Sequence, residues 1–267
     1  MILPVIGKDL DCKRCRDGNK FVRRAQALYN LTNWLINMRS GLKTPPSRPR
    51  LGSRGRPEES RAAILEAAVH EFSREGVAGA RTDAIARAAR VNKALLYYYF
   101  KDKDTLYGAV LDQAFGGLSS ALLKILSLDL PPREKILAYA AGHFDYIASH
   151  PRYPRIVQGE MMRAGGAGSG QFQRIVKQYF RPLAGKLAQV IKEGQAKGEF
   201  RSGNPEQCLL SIIAVIVFYF INAPVMRMVS GSDPLSPELI AARRIAVLDF
   251  ISAALFQKQV DSKGVRA

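Results

Sequence analysis

The sequence predicts an all-α protein, with a small three-helix head ahead of a larger helical body. Three observations carry this reading. Apolar residues recur every three or four positions along the long segments, as one buried helix face requires. No stretch alternates apolar and polar residues with the period of two that a half-buried strand shows. Proline and glycine mostly fall between the apolar stretches, where helices start and stop.

Composition sets wide bounds. The chain has 267 residues, 47% hydrophobic and 24% charged, which suits a globular protein with a sizeable core. Its formal net charge of +17 implies attraction to polyanions, nucleic acid first and an anionic membrane surface second. That charge is unevenly placed. Residues 1–58 hold thirteen Lys/Arg against four Asp/Glu, over half of the excess, so total charge alone does not establish nucleic-acid binding. The three cysteines, Cys12, Cys15 and Cys208, do not make a disulfide framework and fit a reducing cytoplasm. Cys12 and Cys15 form a CxxC without the second pair of a zinc site, so neither a metal nor a cofactor is expected. The opening MILPVIG is too short for a signal peptide.

Residues 1–57 read as a basic, disordered extension. Phe21 to Met38 could form a short amphipathic helix, and residues 40–57 are rich in Pro, Gly, Arg and Ser. Three readings stay open for this segment. It is a flexible arm, non-native sequence ahead of a start at Met38, or an arm whose Arg48, Arg50, Arg54 and Arg56 add phosphate or minor-groove contacts.

The first firm helix is expected over Glu58–Glu75, with Ile64, Leu65, Ala68, Val69 and Phe72 as its apolar stripe and Gly76 at its exit. Thr82 should cap a short alanine-rich helix over Asp83–Ala89. Arg90-Val91 makes a turn, and Asn92 caps a third helix, Lys93 to Tyr99. That helix sets Tyr97, Tyr98 and Tyr99 beside Phe100, with Lys101 and Lys103 just beyond. A buried helix has little use for three phenols and two ammonium groups so close together. A helix lying against a phosphate-lined groove does.

Residues 59–106 resemble the N-terminal DNA-binding domain of TetR-family transcriptional regulators. Val91, Asn92, Leu96, Tyr97, Tyr98, Phe100, Lys103 and Leu106 stand at that family's motif positions. Arg90 stands where glycine is usual, Ala94 where glycine is common, Leu95 where Ser/Thr is common and Tyr99 where histidine is common. The resemblance implies a helix-turn-helix domain over 58–118, its motif over about 81–100. It is followed by an effector-binding and dimerisation domain over 119–257 and a polar tail, 258–267. The implied DNA-binding residues are Arg81, Thr82, Asn92, Lys93, Ala94, Tyr97, Tyr98, Tyr99, Lys101 and Lys103. Lys93 is placed for a base edge or a phosphate, Tyr97 and Tyr98 for phosphates or thymine methyls, and Thr82 and Lys103 for phosphates. Phe100 is read as a core plug, and Tyr99 stays open between core and DNA.

Further helices are expected over Lys103–Ser127, Glu134–Ser149, Pro154–Arg163, Phe172–Lys197 with a bend near Pro182, Cys208–Ala223 and Pro237–Gln257. GGAGSG at 165–170 reads as a loop. Residues 207–226 carry no charge and have the length of a membrane span, but Gln207, Ser211, Asn222 and Pro224 interrupt them. The resemblance favours the other reading, a homodimer through the last two helices. It also implies a small, largely apolar effector in the body. Its candidate contacts are His143, Phe144, Tyr146, Gln158, Met161, Phe172, Tyr179, Phe220 and Asn222, each also readable as core packing. His143 and His150, with Asp145 nearby, are read as solvated or capping rather than metal-binding.

Three functions compete. A ligand-responsive repressor binding a pseudo-palindromic operator leads. A membrane-associated helical protein follows, using residues 21–38 and 207–226. An enzyme is disfavoured, because no P-loop, G-x-S-x-G or H-E-x-x-H is present.

Overall fold

The computed structural model describes residues 57–163 and 170–257, all within one compact unit, Pro45–Ala267. The expectations for the 21–38 helix, the arginine arm, the CxxC, most of the glycine loop and the tail lie outside these residues.

Three helices form the head: α1 (Pro57–Gly79), α2 (Thr82–Ala88) and α3 (Lys93–Tyr99). Helix α1 buries Ile64, Leu65, Ala68, Val69 and Phe72, the stripe its periodicity predicts. Its helical geometry breaks at Gly76 (φ 66°, ψ 177°), a left-handed conformation open to glycine, at the expected exit. Helix α3 has seven residues, too few to stand alone. Leu96 and Phe100, 0% and 2% exposed, fix it to Ile64, Phe72 and Ile85. Each such buried side chain stabilises by roughly 2 kcal/mol.

Helix α4 (Lys103–Leu126) runs from head to body. Leu106, Val110, Leu111 and Phe115 belong to the head's core, while Leu122, Ile125 and Leu126 belong to the body's. Asp102 caps it, its Oδ1 accepting from Thr105 N–H at 2.7 Å. By length and composition α4 could cross a bilayer, yet here its apolar face is shared between two packed cores.

The body continues with α5 (Pro132–Ser149), α6 (Tyr153–Arg163), α7 (Gly170–Ile175) and α8 (Arg181–Ala196). It ends with α9 (Pro205–Ile221), α10 (Ala223–Ser230) and α11 (Pro237–Leu255). The bend expected at Pro182 is instead one π-helical turn, Val176–Phe180, directly before it. Proline has no N–H and its ring crowds the carbonyl four residues back, and widening the preceding turn relieves both. Residues 207–226 are two helices, with α9 and α10 meeting at 60° beside Asn222. Ile136, Tyr139, Phe144, Leu187, Ile212, Ile216 and Ile251 form the middle of the body's core. A two-bond ion pair locks α11 onto α5, with Arg244 donating to both carboxylate oxygens of Asp145 at 2.7 and 3.0 Å. Among the described residues there is no strand, only a single bridge between Phe200 and Phe256.

Candidate nucleic-acid interface

The turn between α2 and α3 sets the orientation of α3. Arg90 takes φ 57°, the left-handed region that explains why glycine suits this position. Asn92 then caps α3, its Oδ1 accepting from Leu95 N–H at 2.6 Å. At the start of α2 the expected cap is not formed. Arg81 holds the cap position in extended backbone without a side-chain bond, and Thr82 is the first helical residue. The Thr82 hydroxyl instead meets the Tyr97 hydroxyl at 3.2 Å, pinning the two helices together at the exposed side.

The successive tyrosines separate as a helix requires. Tyr98 is 80% exposed and Tyr97 40%, whereas Tyr99 is half-buried against the head's core. Tyr99 meets Tyr98 edge-to-face with ring centroids 5.3 Å apart. Phe100 is buried under the Arg61 guanidinium, 5.3 Å from its ring centre. Asn92, Lys93, Ala94, Arg81 and Lys101 are exposed.

Two lysines are engaged in ways their spacing does not reveal. Lys93 Nζ lies 2.8 Å from Asp83 Oδ1, and the pair raises the lysine's pKa and lowers the aspartate's. Lys103 donates to the carbonyl oxygens of Ala78 and Ala80 at 3.3 and 3.1 Å, tying the α1–α2 connection to the start of α4. Its charge therefore serves the head's own backbone before any phosphate. The N–H of Arg81, one residue before α2, donates to Glu71 Oε1 at 3.3 Å, and Arg74 holds the other Glu71 oxygen at 3.0 Å.

The nine candidate effector residues do not converge on one cavity. Phe144 and Phe220 pack together at 4.9 Å with Tyr219 nearby. His143 is buried against Tyr139, and burial pushes its pKa down to about 4, so it is neutral near pH 7. Its Nδ1 has no partner among the described residues. Tyr146 stacks on His150, and Tyr179 donates to Asp112 at 2.9 Å. Phe172 is half-buried near Phe180, with ring centroids 6.5 Å apart. Met161 is 52% exposed, and Asn222 sits at the α9–α10 bend. Gln158 and Phe220 both line an outer cleft of about 370 Å³ that α1 also borders.

Comparison with known proteins agrees with this geometry. A family model described as bacterial regulatory proteins, tetR family, matches residues 64–110, and one described as tetracyclin repressor-like, C-terminal domain, matches residues 132–251. The HTH-type transcriptional repressor SCO4008 of Streptomyces coelicolor is 32% identical over 196 residues, 71% of this chain and 96% of that protein. The HTH-type transcriptional repressor NicS of Pseudomonas putida is 32% identical over 173 residues, 62% of this chain and 77% of that protein. Among solved structures, the ketosteroid transcriptional regulator KstR2 of Mycobacterium tuberculosis has the same fold at 18% identity. Its TM-score is 0.62, over 79% of this chain and 100% of that one. The hemolysin II transcriptional regulator HlyIIR shares it at 24% identity and a TM-score of 0.51, over 70% of this chain and 97% of that one. A capped reading helix with outward tyrosines, a helical body and these matches lead to one conclusion: the chain belongs to the tetR family of bacterial regulatory proteins.

Proposed function

We propose that this chain is a cytoplasmic, ligand-responsive transcriptional repressor, working as a homodimer on a pseudo-palindromic DNA operator. The observation that carries the reading is the outward face of α3. There Tyr98, Tyr97, Lys93 and Ala94 are exposed while Leu96 and Phe100 anchor the helix from behind. Lys93 and Ala94, at the N-terminal end of α3, are proposed to approach base edges, and Tyr97, Tyr98 and Lys101 the phosphates.

Pairing is proposed through α9 and α11. Leu210 and Phe218 on α9, and Leu239, Ile245 and Phe250 on α11, are large apolar side chains left exposed in the single chain. Covering them with the same face of a second copy gives a two-fold dimer whose reading helices meet successive turns of the groove, about 34 Å apart. An apolar effector that prefers one separation of the heads shifts the population toward it. His143, neutral and without a partner for Nδ1, is the proposed polar handle in the body's core.

Selecting duplexes from random DNA with the purified chain tests the whole reading. Two inverted half-sites are expected, and small molecules can then be screened for releasing them. A consensus without two-fold symmetry, or none at all, would count against it.

A further inference from the structure

We propose a second ligand site in the cleft between head and body, built for a small amphipathic carboxylate. The cleft is bordered by the last turns of α1, the start of α6 and the α9–α10 bend, and it gathers Arg74, Arg152, Arg155 and Arg227 around one opening. These arginines come from segments far apart in the chain, so the fold assembles the charge. Two are already engaged: Arg74 with Glu71 and Glu75, and Arg227 with Asp233. No carboxylate among the described residues pairs with Arg152 or Arg155; Arg155 lies in the first turn of α6 and Arg152 one residue ahead of that helix. Two guanidinium forks facing one opening suit the planar, bidentate geometry of a carboxylate.

Beside the arginines and the polar His70, Ser73 and Gln158, the lining carries an apolar side: Pro151, Pro154, Phe220, Ile221, Ala223, Pro224 and Leu235. A bare inorganic anion would leave that surface unused, whereas a carboxylate on a short acyl or aromatic body covers it. The volume, about 370 Å³, accommodates such a molecule.

The site also has a physical route to the reading helix. Arg74 borders the cleft and donates to Glu71, whose other oxygen receives the Arg81 N–H just before α2. A carboxylate drawing on Arg74 alters the restraint at the entry of the helix-turn-helix. This coupling rests on the repressor reading; the binding itself does not.

Thermal melts of the full chain test the site, using benzoate and hexanoate, with benzyl alcohol as the neutral analogue and inorganic phosphate as the anion without an apolar body. The carboxylates should raise Tm, while benzyl alcohol and phosphate should leave it nearly unchanged. The double variant Arg152→Ala/Arg155→Ala has only exposed side chains removed. It should keep the ligand-free Tm and bind the carboxylates at least about tenfold more weakly. R155K, which keeps the charge but loses the fork, should fall between. Equal shifts with benzyl alcohol or phosphate, an undiminished shift in the double variant, or no shift with either carboxylate would overturn the site. A second arm measures affinity for the selected operator. Benzoate should change it in the wild type and not in the double variant. Loss of ligand-free DNA affinity in the double variant would mark these arginines as phosphate contacts and also overturn the site. A chain that binds no DNA, yet shows the arginine-dependent shift, would sink the repressor reading and leave the site standing.

Discussion

Lys93 Nζ sits 2.8 Å from Asp83 Oδ1, so the cation at the start of the reading helix is held by a carboxylate of the preceding helix. In the free protein this lysine already has a partner, with which DNA would compete under the proposed reading. Both side chains are about half exposed, so the pair is a restraint on position more than a source of stability. Asp83→Asn releases the lysine. The expected result is tighter DNA binding and a salt dependence steeper by about one counterion. Lys93→Ala should instead alter sequence preference. Fluorescence anisotropy over a salt series reads both, and unchanged slopes would show that Lys93 never reaches DNA.

Lys103 tests structure against charge. Its ammonium bonds to the Ala78 and Ala80 carbonyls, joining the α1–α2 connection to α4. Lys103→Met keeps the aliphatic stem and removes both bonds. Stability should fall by about 1–2 kcal/mol in urea titration. The DNA salt slope should fall by about one if the remaining proton also meets a phosphate. A stability equal to the wild type would contradict the staple.

Arg90 carries a side chain at φ 57°, a backbone region that disfavours one. Arg90→Gly should stabilise the head by about 1 kcal/mol, visible as a higher Tm. A drop in Tm would show that the arginine side chain contributes more than the strain it causes.

His143 sets a pH dependence for the body. Burial lowers its pKa from 6.5 to about 4. Between those values the unfolded chain binds a proton that the folded chain refuses. Stability contributed by the neutral ring is therefore complete above pH 6.5 and is lost progressively as pH falls toward 4. The limiting loss is on the order of 3 kcal/mol. His143→Phe should flatten Tm against pH over this window. A wild-type Tm that does not decline between pH 6.5 and 4 would contradict the buried neutral assignment.

Much of the head is readable from residue order, because local rules decide it. The stripe from Ile64 to Phe72 needs only helical spacing, and Asn92 needs only a free N–H three residues on. The cap expected at α2 fails because Thr82 has the right chemistry, but its hydroxyl is taken by Tyr97, a neighbour set by tertiary packing. The helix expected to end at Ala223 does stop close by, at Ile221, but α10 goes unread, because Asn222 and Pro224 signal a stop while a proline in the first turn equally suits a new helix. Asp83, a restraint on Lys93 in the free protein, stands ten residues before it, where no spacing rule points to it. The arginine-lined cleft is out of reach of the sequence, since Arg74, Arg155 and Arg227 become neighbours only once α1, α6 and α10 are packed. Candidate effector residues chosen for aromatic character scatter between core, surface and cleft, because burial of an aromatic ring does not say which cavity it faces.

Two copies of this chain are proposed to read one duplex through α3. Sedimentation of the purified chain with a labelled duplex from the DNA flanking its own gene tests this most directly, beside a scrambled duplex of equal composition. The expected result is a complex of two chains per specific duplex, with affinity falling linearly against salt on logarithmic axes and collapsing on the scrambled sequence. A single chain per duplex, or equal affinity for both sequences, would contradict it.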